Sequence, residues 1–250
     1  MHMHLSQGSR ETAQMLGRYN ERSIPYLARL GYLDDNFIGI HLTDATEEEA
    51  QLVAQCGASM VLCSASIGII DGIVPPAKPF QDAGGYVALG SDQSPGNNCH
   101  NIFNEMRLTA LFNKIKYGDP EVMPAWKVLR MATMEGARAL GIADVTGSLE
   151  VGKAADIIMV RLEALAMLPV ITTPMRNFIP NLVYAANGRE VGTVIVAGRI
   201  LVQNGKPLTV DLAKIRDEVQ EHAVRISDEA GVKFWEINGM NARFMREGKL

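Results

Sequence analysis

Short apolar segments alternate with amphipathic ones along the first 140 residues. Apolar runs at Phe37 to Ile40, Ser59 to Leu62 and Val87 to Leu89 each end in small polar residues, and Met1 to Leu5 has the form of a strand end. Short buried strands that alternate with helices are typical of a parallel α/β sheet or barrel. In such folds the reactive groups lie at the carboxyl ends of the strands.

Helix signals fill the intervals between these runs. Arg10 to Leu30 has helical periodicity with a restart at Ser23, and Thr46 opens a helix whose first turn is acidic. An acidic first turn suits the positive end of the helix dipole. Two further helices are predicted over Asn101 to Lys116 and Ala125 to Leu140.

The pattern changes after residue 144. A turn-rich segment precedes a predicted strand at Asp156 to Val160, and Val191 to Val202 reads as a strand, a turn and a strand before a further turn. An amphipathic helix is predicted from Val210 to Ile226. These patterns predict a barrel-like segment over residues 1–144, a small β module over 145–208 and a helical tail over 209–250.

Composition excludes several classes of protein. The chain has 250 residues, of which 47% are hydrophobic, enough for a substantial core. It carries 24 basic and 28 acidic residues without a charged tail, which argues against a nucleic-acid partner. Every apolar stretch is too short for a bilayer span and no signal-peptide pattern is present, so we expect a soluble, cytoplasmic chain with no membrane partner. Its three cysteines form no CxxC pair.

Three residues that could bind a metal follow predicted strands. His4, His41 and Asp92 each precede a polar cluster, and their separations fit one and then two strand-plus-helix units. Imidazole and carboxylate groups are divalent-metal ligands, and a carboxylate beside a bound water can take its proton. A single histidine at a strand end is more often structural than a ligand, so the spacing alone leaves both interpretations open.

Several motifs in order resemble the latter half of the amidohydrolase superfamily. They comprise His4-Leu5-Ser6-Gln7, Gly39-Ile40-His41, the run from Val87 to Asp92 and the segment 97–107. The nearest group is similar to methylthioadenosine and S-adenosylhomocysteine deaminases and to triazine hydrolases, including chlorohydrolases. Segments 147–156 and 194–199 resemble the C-terminal β-sandwich of that family. The likeness runs from about residue 1 to residue 205.

This resemblance implies a fold. It implies strands five to eight of a metal-dependent (β/α)8 TIM barrel, followed by a small β-sandwich module and C-terminal helices. It further implies a C-terminal portion of an enzyme of roughly 450 residues, since a complete barrel takes about 250 residues. We therefore expect either a homo-oligomer or a requirement for the missing N-terminal half.

The resemblance also implies roles for individual residues. His4 and Asp92 correspond to metal ligands, with Asp92 also taking a proton as a catalytic residue. His41 corresponds to a catalytic histidine that binds substrate, and Gln7 lies at a substrate-binding position. One divalent metal is implied, zinc or alternatively iron. The implied reaction is hydrolysis of a C–N bond in a small heteroaromatic or cyclic amidine substrate, by attack of a metal-bound hydroxide.

Departures from the family pattern leave alternatives open. Family deaminases usually have glutamate at the position of Gln7, and a carboxamide cannot transfer a full proton at neutral pH. The strand that corresponds to the family's seventh ends in Cys63-Ser64-Ala65-Ser66 rather than in a His-Asn-Pro-like element. Glu11 is interpreted as a solvated helix residue, and His2 as structural rather than as half of a first-strand His-x-His pair. A hydrolase with a non-ammonia leaving group (amide or halide) and a catalytically incompetent fragment are the alternatives.

Overall fold

A parallel sheet forms the first part of the chain. The computed structural model describes residues 1–249 and contains four strands in the order β1 (His2–Leu5), β2 (Ile38–His41), β3 (Ser59–Leu62) and β4 (Val87–Leu89). All neighbours in this sheet are parallel, with His4 opposite Ile40 and Val61 opposite Ala88. The α/β class and the parallel sheet predicted from the sequence are confirmed.

Nine helices within the described residues connect and follow these strands. They are α1 (Ser9–Tyr19), α2 (Ser23–Arg29), α3 (Glu47–Gln55), α4 (Ser64–Ile70), α5 (Ala77–Asp82), α6 (Ser94–Asn97), α7 (Ile102–Tyr117), α8 (Ala125–Met131) and α9 (Met134–Ala139). The predicted start of α3 is confirmed: the Thr46 hydroxyl accepts from the Glu49 N–H at 3.1 Å, and the Glu49 carboxylate accepts from the Thr46 N–H at 2.9 Å. This reciprocal pair satisfies two backbone donors at the helix start.

The single helix predicted from Ala125 to Leu140 was wrong, because the chain forms α8 and α9 with a break between them. Thr133 has φ −130° and ψ −93°, outside the helical region, and its hydroxyl donates to the Leu129 carbonyl at 2.8 Å. The break directs α9 so that the buried Glu135 carboxylate accepts from the Val87 N–H at 3.3 Å. A tertiary hydrogen bond therefore overrides the helical pattern here.

The two faces of the parallel sheet differ in their surroundings. Successive strand side chains point to opposite faces. On the helix-covered face, Leu5, Met60, Leu62 and Val87 are at most 1% exposed and belong to the main core. The opposite face carries His2 and His4 on β1, both exposed.

An antiparallel sheet follows. Its strands are β5 (Ile157–Val160), β6 (Val191–Val196), β7 (Arg199–Gln203) and β8 (Lys206–Pro207), in sequence order, and α10 (Phe178–Tyr184) lies between β5 and β6. In residues 1–249 this β module is one sheet of four strands. The second layer of a sandwich and the closure of the barrel stay predictions.

Contacts divide the chain into two units, one ending at Lys206 and one beginning at Pro207. The second unit contains α11 (Leu212–Ile237) and α12 (Gly239–Arg246). The sequence prediction ended α11 too early, at Ile226. The segment beyond it has no proline, and an ion pair between Arg225 and Glu229 at 3.4 Å spans the expected end. None of the described helices has the length and apolar character that a membrane span requires.

Candidate functional site

The three residues predicted to converge do lie together. Ligand-type atoms of His4, His41 and Asp92 are all within 4.8 Å of one another. The two imidazole rings stack at 5.1 Å between centroids with 24° between their planes, and His41 Nε2 lies 3.8 Å from Asp92 Oδ2. The cluster is at the carboxyl ends of β1, β2 and β4, where a parallel sheet presents reactive groups.

His41 reaches this cluster through an unusual backbone conformation. Strand register pairs Leu5 with His41, so an extended His41 would share the helix-covered face with Leu5. Instead His41 has φ 73°, in the left-handed region, and its ring stacks on His4. The left-handed turn thus moves the imidazole from the core face to the site.

Left-handed residues occur beside every strand that contributes to the cluster. Ser6 has φ 49° after β1, Leu42 has φ 53° after β2, and Asp92 has φ 58° after β4. Each such non-glycine residue costs about 1–2 kcal/mol relative to its relaxed conformation. Tertiary contacts around the strand ends must offset this cost.

Glu11 provides such contacts for the segment after β1. Its carboxylate accepts from the backbone N–H groups of Ser6 and Gln7, both at 3.0 Å, and from the Ser23 hydroxyl. The interpretation of Glu11 as a solvated residue was therefore wrong. Its sequence signal was ambiguous, because one acidic residue in a first helical turn ordinarily faces solvent.

The segment after β2 is held from two directions. The Leu42 N–H donates to the Leu5 carbonyl at 3.1 Å, and the Asp44 N–H donates to the Ser6 carbonyl at 2.8 Å. Arg22 forms an ion pair with Glu49 at 2.7 Å and donates to the Asp44 carbonyl. These bonds join the first two strand ends into one unit.

Asp92 is held by α4 and by its own loop. The Ser66 hydroxyl donates to Asp92 Oδ2, and Asn97 Nδ2 donates to the Ser91 carbonyl at 2.5 Å. Asn97 therefore holds the loop around Asp92. His100 also bridges this loop, with Nδ1 2.8 Å from the Ser91 hydroxyl and Nε2 2.6 Å from that of Ser94.

Burial and hydrogen bonding set the charges of the cluster. Burial lowers the pKa of His41 despite the opposing effect of Asp92, which favours the neutral imidazole. For Asp92, burial disfavours the charged form, but hydrogen bonds from Ser66 and the Gln93 backbone, with the nearby histidines, outweigh it and lower the pKa. The site therefore holds a carboxylate beside a neutral imidazole at neutral pH.

The cluster fits a divalent metal. His41 is 1% exposed, and neither of its ring nitrogens has a hydrogen-bond partner among the described residues. Buried polar atoms without partners are rare in proteins and call for a ligand or ordered water. Neutral imidazole and carboxylate are ligands that zinc and iron accept. His4 and Asp92, the two residues predicted as ligands, lie within 4.8 Å of each other and of His41.

Other sequence candidates occupy less reactive positions. Cys63 is buried, and burial raises the pKa of its thiol to about 12, so it is not a thiolate nucleophile at neutral pH. Gln7 is half-buried immediately after β1. His222 is exposed on α11.

Two supporting residues were missed. Ser66 stood in the cluster of small residues after β3, and Glu105 stood between Asn104 and Met106 in the first turn of α7. The sequence feature that could have identified Glu105 is its position beside Met106 on a predicted helix. A carboxylate buried there would need hydrogen-bond donors from other segments. In the structure Glu105 is fully buried and accepts from Ala65 N–H at 3.0 Å and Asn97 Nδ2 at 2.8 Å.

Comparison with known sequences agrees with this geometry. The sequence profile described as the amidohydrolase family matches residues 1–201. A 5-methylthioadenosine/S-adenosylhomocysteine deaminase of Moorella thermoacetica is 36% identical over 219 residues, which cover 88% of this chain and 50% of the relative. The chain thus spans about half the length of the curated relatives it matches. The resemblance seen in the motifs is confirmed.

Solved structures give the same result. An adenosine deaminase from Xanthomonas campestris with bound zinc has a TM-score of 0.85 and 33% identity, covering 91% of this chain and 51% of its own. An atrazine chlorohydrolase from Arthrobacter aurescens, complexed with zinc, has a TM-score of 0.79 and 26% identity, covering 88% of this chain and 48% of its own.

Proposed function

The chain belongs to the amidohydrolase family, and we propose that its protein is a metal-dependent aminohydrolase that hydrolyses a C–N bond of a heteroaromatic or cyclic amidine substrate. The convergence of His4, His41 and Asp92 within 4.8 Å at one edge of a parallel sheet is the observation that carries this proposal. The deaminase names of the sequence relatives support the reaction type.

His4 and Asp92 would hold one divalent metal, with zinc favoured and iron as the alternative. Both similar structures described above contain zinc. When bound, such an ion activates water and polarises the bond under attack. His4 lies on the first strand of the parallel sheet and Asp92 follows the last, so segments at both edges of the sheet would supply ligands.

Asp92 would take the proton of the attacking water, and His41 would hydrogen-bond to the substrate. The lowered pKa of Asp92 keeps it ionised, so its carboxylate can accept a proton from the attacking water. The neutral imidazole of His41 would contact the substrate beside the reacting carbon, where a ring nitrogen can donate or accept a hydrogen bond. A proton held on Asp92 can then pass to the leaving group.

Gln7 would bind the substrate by hydrogen bonds through its carboxamide. It cannot pass a full proton to a ring nitrogen at neutral pH, so the proton route would run through Asp92 and His41. This residue favours a second candidate function, hydrolysis with a halide or amide leaving group that needs less acid assistance. The likeness to an atrazine chlorohydrolase supports that candidate.

We propose that the parallel sheet is completed into a barrel by further chain, either an N-terminal half or a second copy. Strand β1 is an edge of the sheet, and its first three residues are exposed. Parallel sheets are ordinarily covered on both faces. Light scattering of residues 1–250 alone should show association or poor stability, whereas a stable, cooperative monomer would contradict the barrel proposal.

Ammonia release distinguishes the candidate reactions. The intact protein and its Gln7→Glu variant should be assayed on aminopurines, aminopterins and aminotriazines, with a chlorotriazine as a halide-leaving control. The proposal expects ammonia release by the native protein and a higher rate on adenosine-like rings for Gln7→Glu, because a carboxyl group can protonate the ring nitrogen. Chloride release without ammonia would favour the second candidate. No hydrolysis by a zinc-loaded protein would support an incompetent fragment.

A further inference from the structure

Glu105 is a fully buried carboxylate on α7 that the proposed reaction does not use. Burying a carboxylate is costly unless its oxygens accept hydrogen bonds. One oxygen of Glu105 accepts from the Ala65 N–H at 3.0 Å and the other from Asn97 Nδ2 at 2.8 Å. Each oxygen therefore contacts a different segment of the site.

One of these segments contains the donor and the other the acceptor of the hydrogen bond from Ser66 to Asp92. Ala65 immediately precedes Ser66, whose hydroxyl donates to Asp92. Asn97 donates through the same Nδ2 to the carbonyl of Ser91, which immediately precedes Asp92. Glu105 thus bonds to the residue before the donor, Ser66. Through Asn97 it is also linked to the residue before the acceptor, Asp92.

We propose that Glu105 is a positioning residue that fixes Ser66 and Asp92 relative to each other, so that Ser66 aims the Asp92 carboxylate. The group formed by Glu105, Asn97 and Ser66 is called the Asp92 clamp below. Asp92 needs such support because its φ of 58° is left-handed and unfavourable for a residue with a side chain. Ser66 is 2% exposed, so water does not compete readily for its hydroxyl.

The proposal that the clamp fixes Ser66 and Asp92 does not depend on the reaction. Only its expected effect on turnover rests on the function proposed above. Partners that orient a metal-binding residue typically change affinity or activity by about 10- to 100-fold when removed. An interaction that acts in the transition state lowers kcat and leaves KM nearly unchanged. A residue with a merely structural role would instead lower the stability of the fold without lowering kcat selectively over KM.

Two isosteric pairs of variants test the clamp in the intact protein. Glu105→Gln replaces one acceptor oxygen by a donor, and its control is Glu135→Gln, another buried glutamate bonded to a backbone N–H but at the opposite end of β4. Ser66→Ala removes the donor to Asp92. Its control is Ser64→Ala, which removes a buried hydroxyl contact with Thr109 at 2.6 Å on the same helix.

The first measurement is hydrogen exchange of the metal-free protein, which does not depend on the proposed function. Glu105→Gln should speed exchange both at residues 64–66 and at residues 91–98, and Ser66→Ala should do so at 91–98 only. Both controls should leave 91–98 unchanged. Exchange in Glu105→Gln that matches the native protein, or that changes at 64–66 alone, would overturn the proposal.

The second measurement is kcat, KM and the visible spectrum of the cobalt-substituted protein. Ser66→Ala and Glu105→Gln should lower kcat by about 10- to 100-fold with little change in KM and should alter the cobalt bands. The two controls should keep the native kcat and bands. Native kcat and bands in Ser66→Ala would overturn the assigned role of Ser66. A native protein that neither binds cobalt nor turns over would contradict the proposed function, while the exchange measurement would still decide the clamp.

Discussion

The two sheets use left-handed residues in opposite ways. In the antiparallel sheet they occur in two-residue connections, Ala197-Gly198 between β6 and β7 and Asn204-Gly205 between β7 and β8. Positive φ at both central residues is what tight hairpin turns require, and glycine and asparagine tolerate it. In the parallel sheet they occur on Ser6, His41, Leu42 and Asp92, next to the metal-type cluster.

The backbone conformation is set locally in a turn of the antiparallel sheet, but by tertiary contacts beside the parallel sheet. The Asn204-Gly205 turn is determined by the residues within it, since Gly205 adopts positive φ without a steric penalty. The Ala197-Gly198 turn has outside support, because the Ala197 N–H donates to Asp156 Oδ1 at 2.7 Å. His41 and Asp92 have no such freedom and depend on contacts from distant residues such as Ser66. Strained backbone held by tertiary contacts is a common property of functional sites.

The largest expected effect concerns the two proposed metal ligands. His4→Ala and Asp92→Asn should reduce turnover of the best substrate to near background, because few ligands remain after either change. Asparagine preserves the left-handed backbone at position 92, so that variant tests the charge. His2→Ala, on the same face of β1, is the matched control and should keep native turnover. Near-native turnover in either ligand variant would contradict the assignment of the reaction to the strand ends of the parallel sheet.

A smaller effect is expected at His41. His41→Asn keeps a residue that tolerates positive φ but removes the imidazole, and should lower kcat by about 100- to 10,000-fold while bound metal is retained. Steady-state kinetics with parallel metal analysis measures both quantities. Loss of metal in proportion to rate would make His41 a ligand rather than a substrate contact.

The smallest effect is expected in the antiparallel sheet. Gly205→Ala should destabilise the fold by about 1 kcal/mol, because alanine is strained at φ 72°, and should leave kcat unchanged. Asn204→Gly should be close to neutral in stability. Thermal unfolding and kinetics of both variants provide the check. A fall in kcat for Gly205→Ala would show that the two sheets are not functionally separate.

The sequence predicted the elements better than their contacts. Four parallel strands, the Thr46 cap and the turn at Asn204-Gly205 follow from local periodicity and turn chemistry. The convergence of His4, His41 and Asp92 was also predictable, because strand ends meet at one edge. The break at Thr133 and the buried Glu105 were not, since both depend on hydrogen bonds to residues distant in sequence.

Metal content of the intact protein tests the central claim most directly. After loading with zinc and dialysis against metal-free buffer, the native protein should retain one zinc per chain. His41→Asn should retain it too, whereas His4→Ala and Asp92→Asn should lose most of it. A native protein that hydrolyses its substrate without metal, or full zinc retention in both ligand variants, would contradict the account.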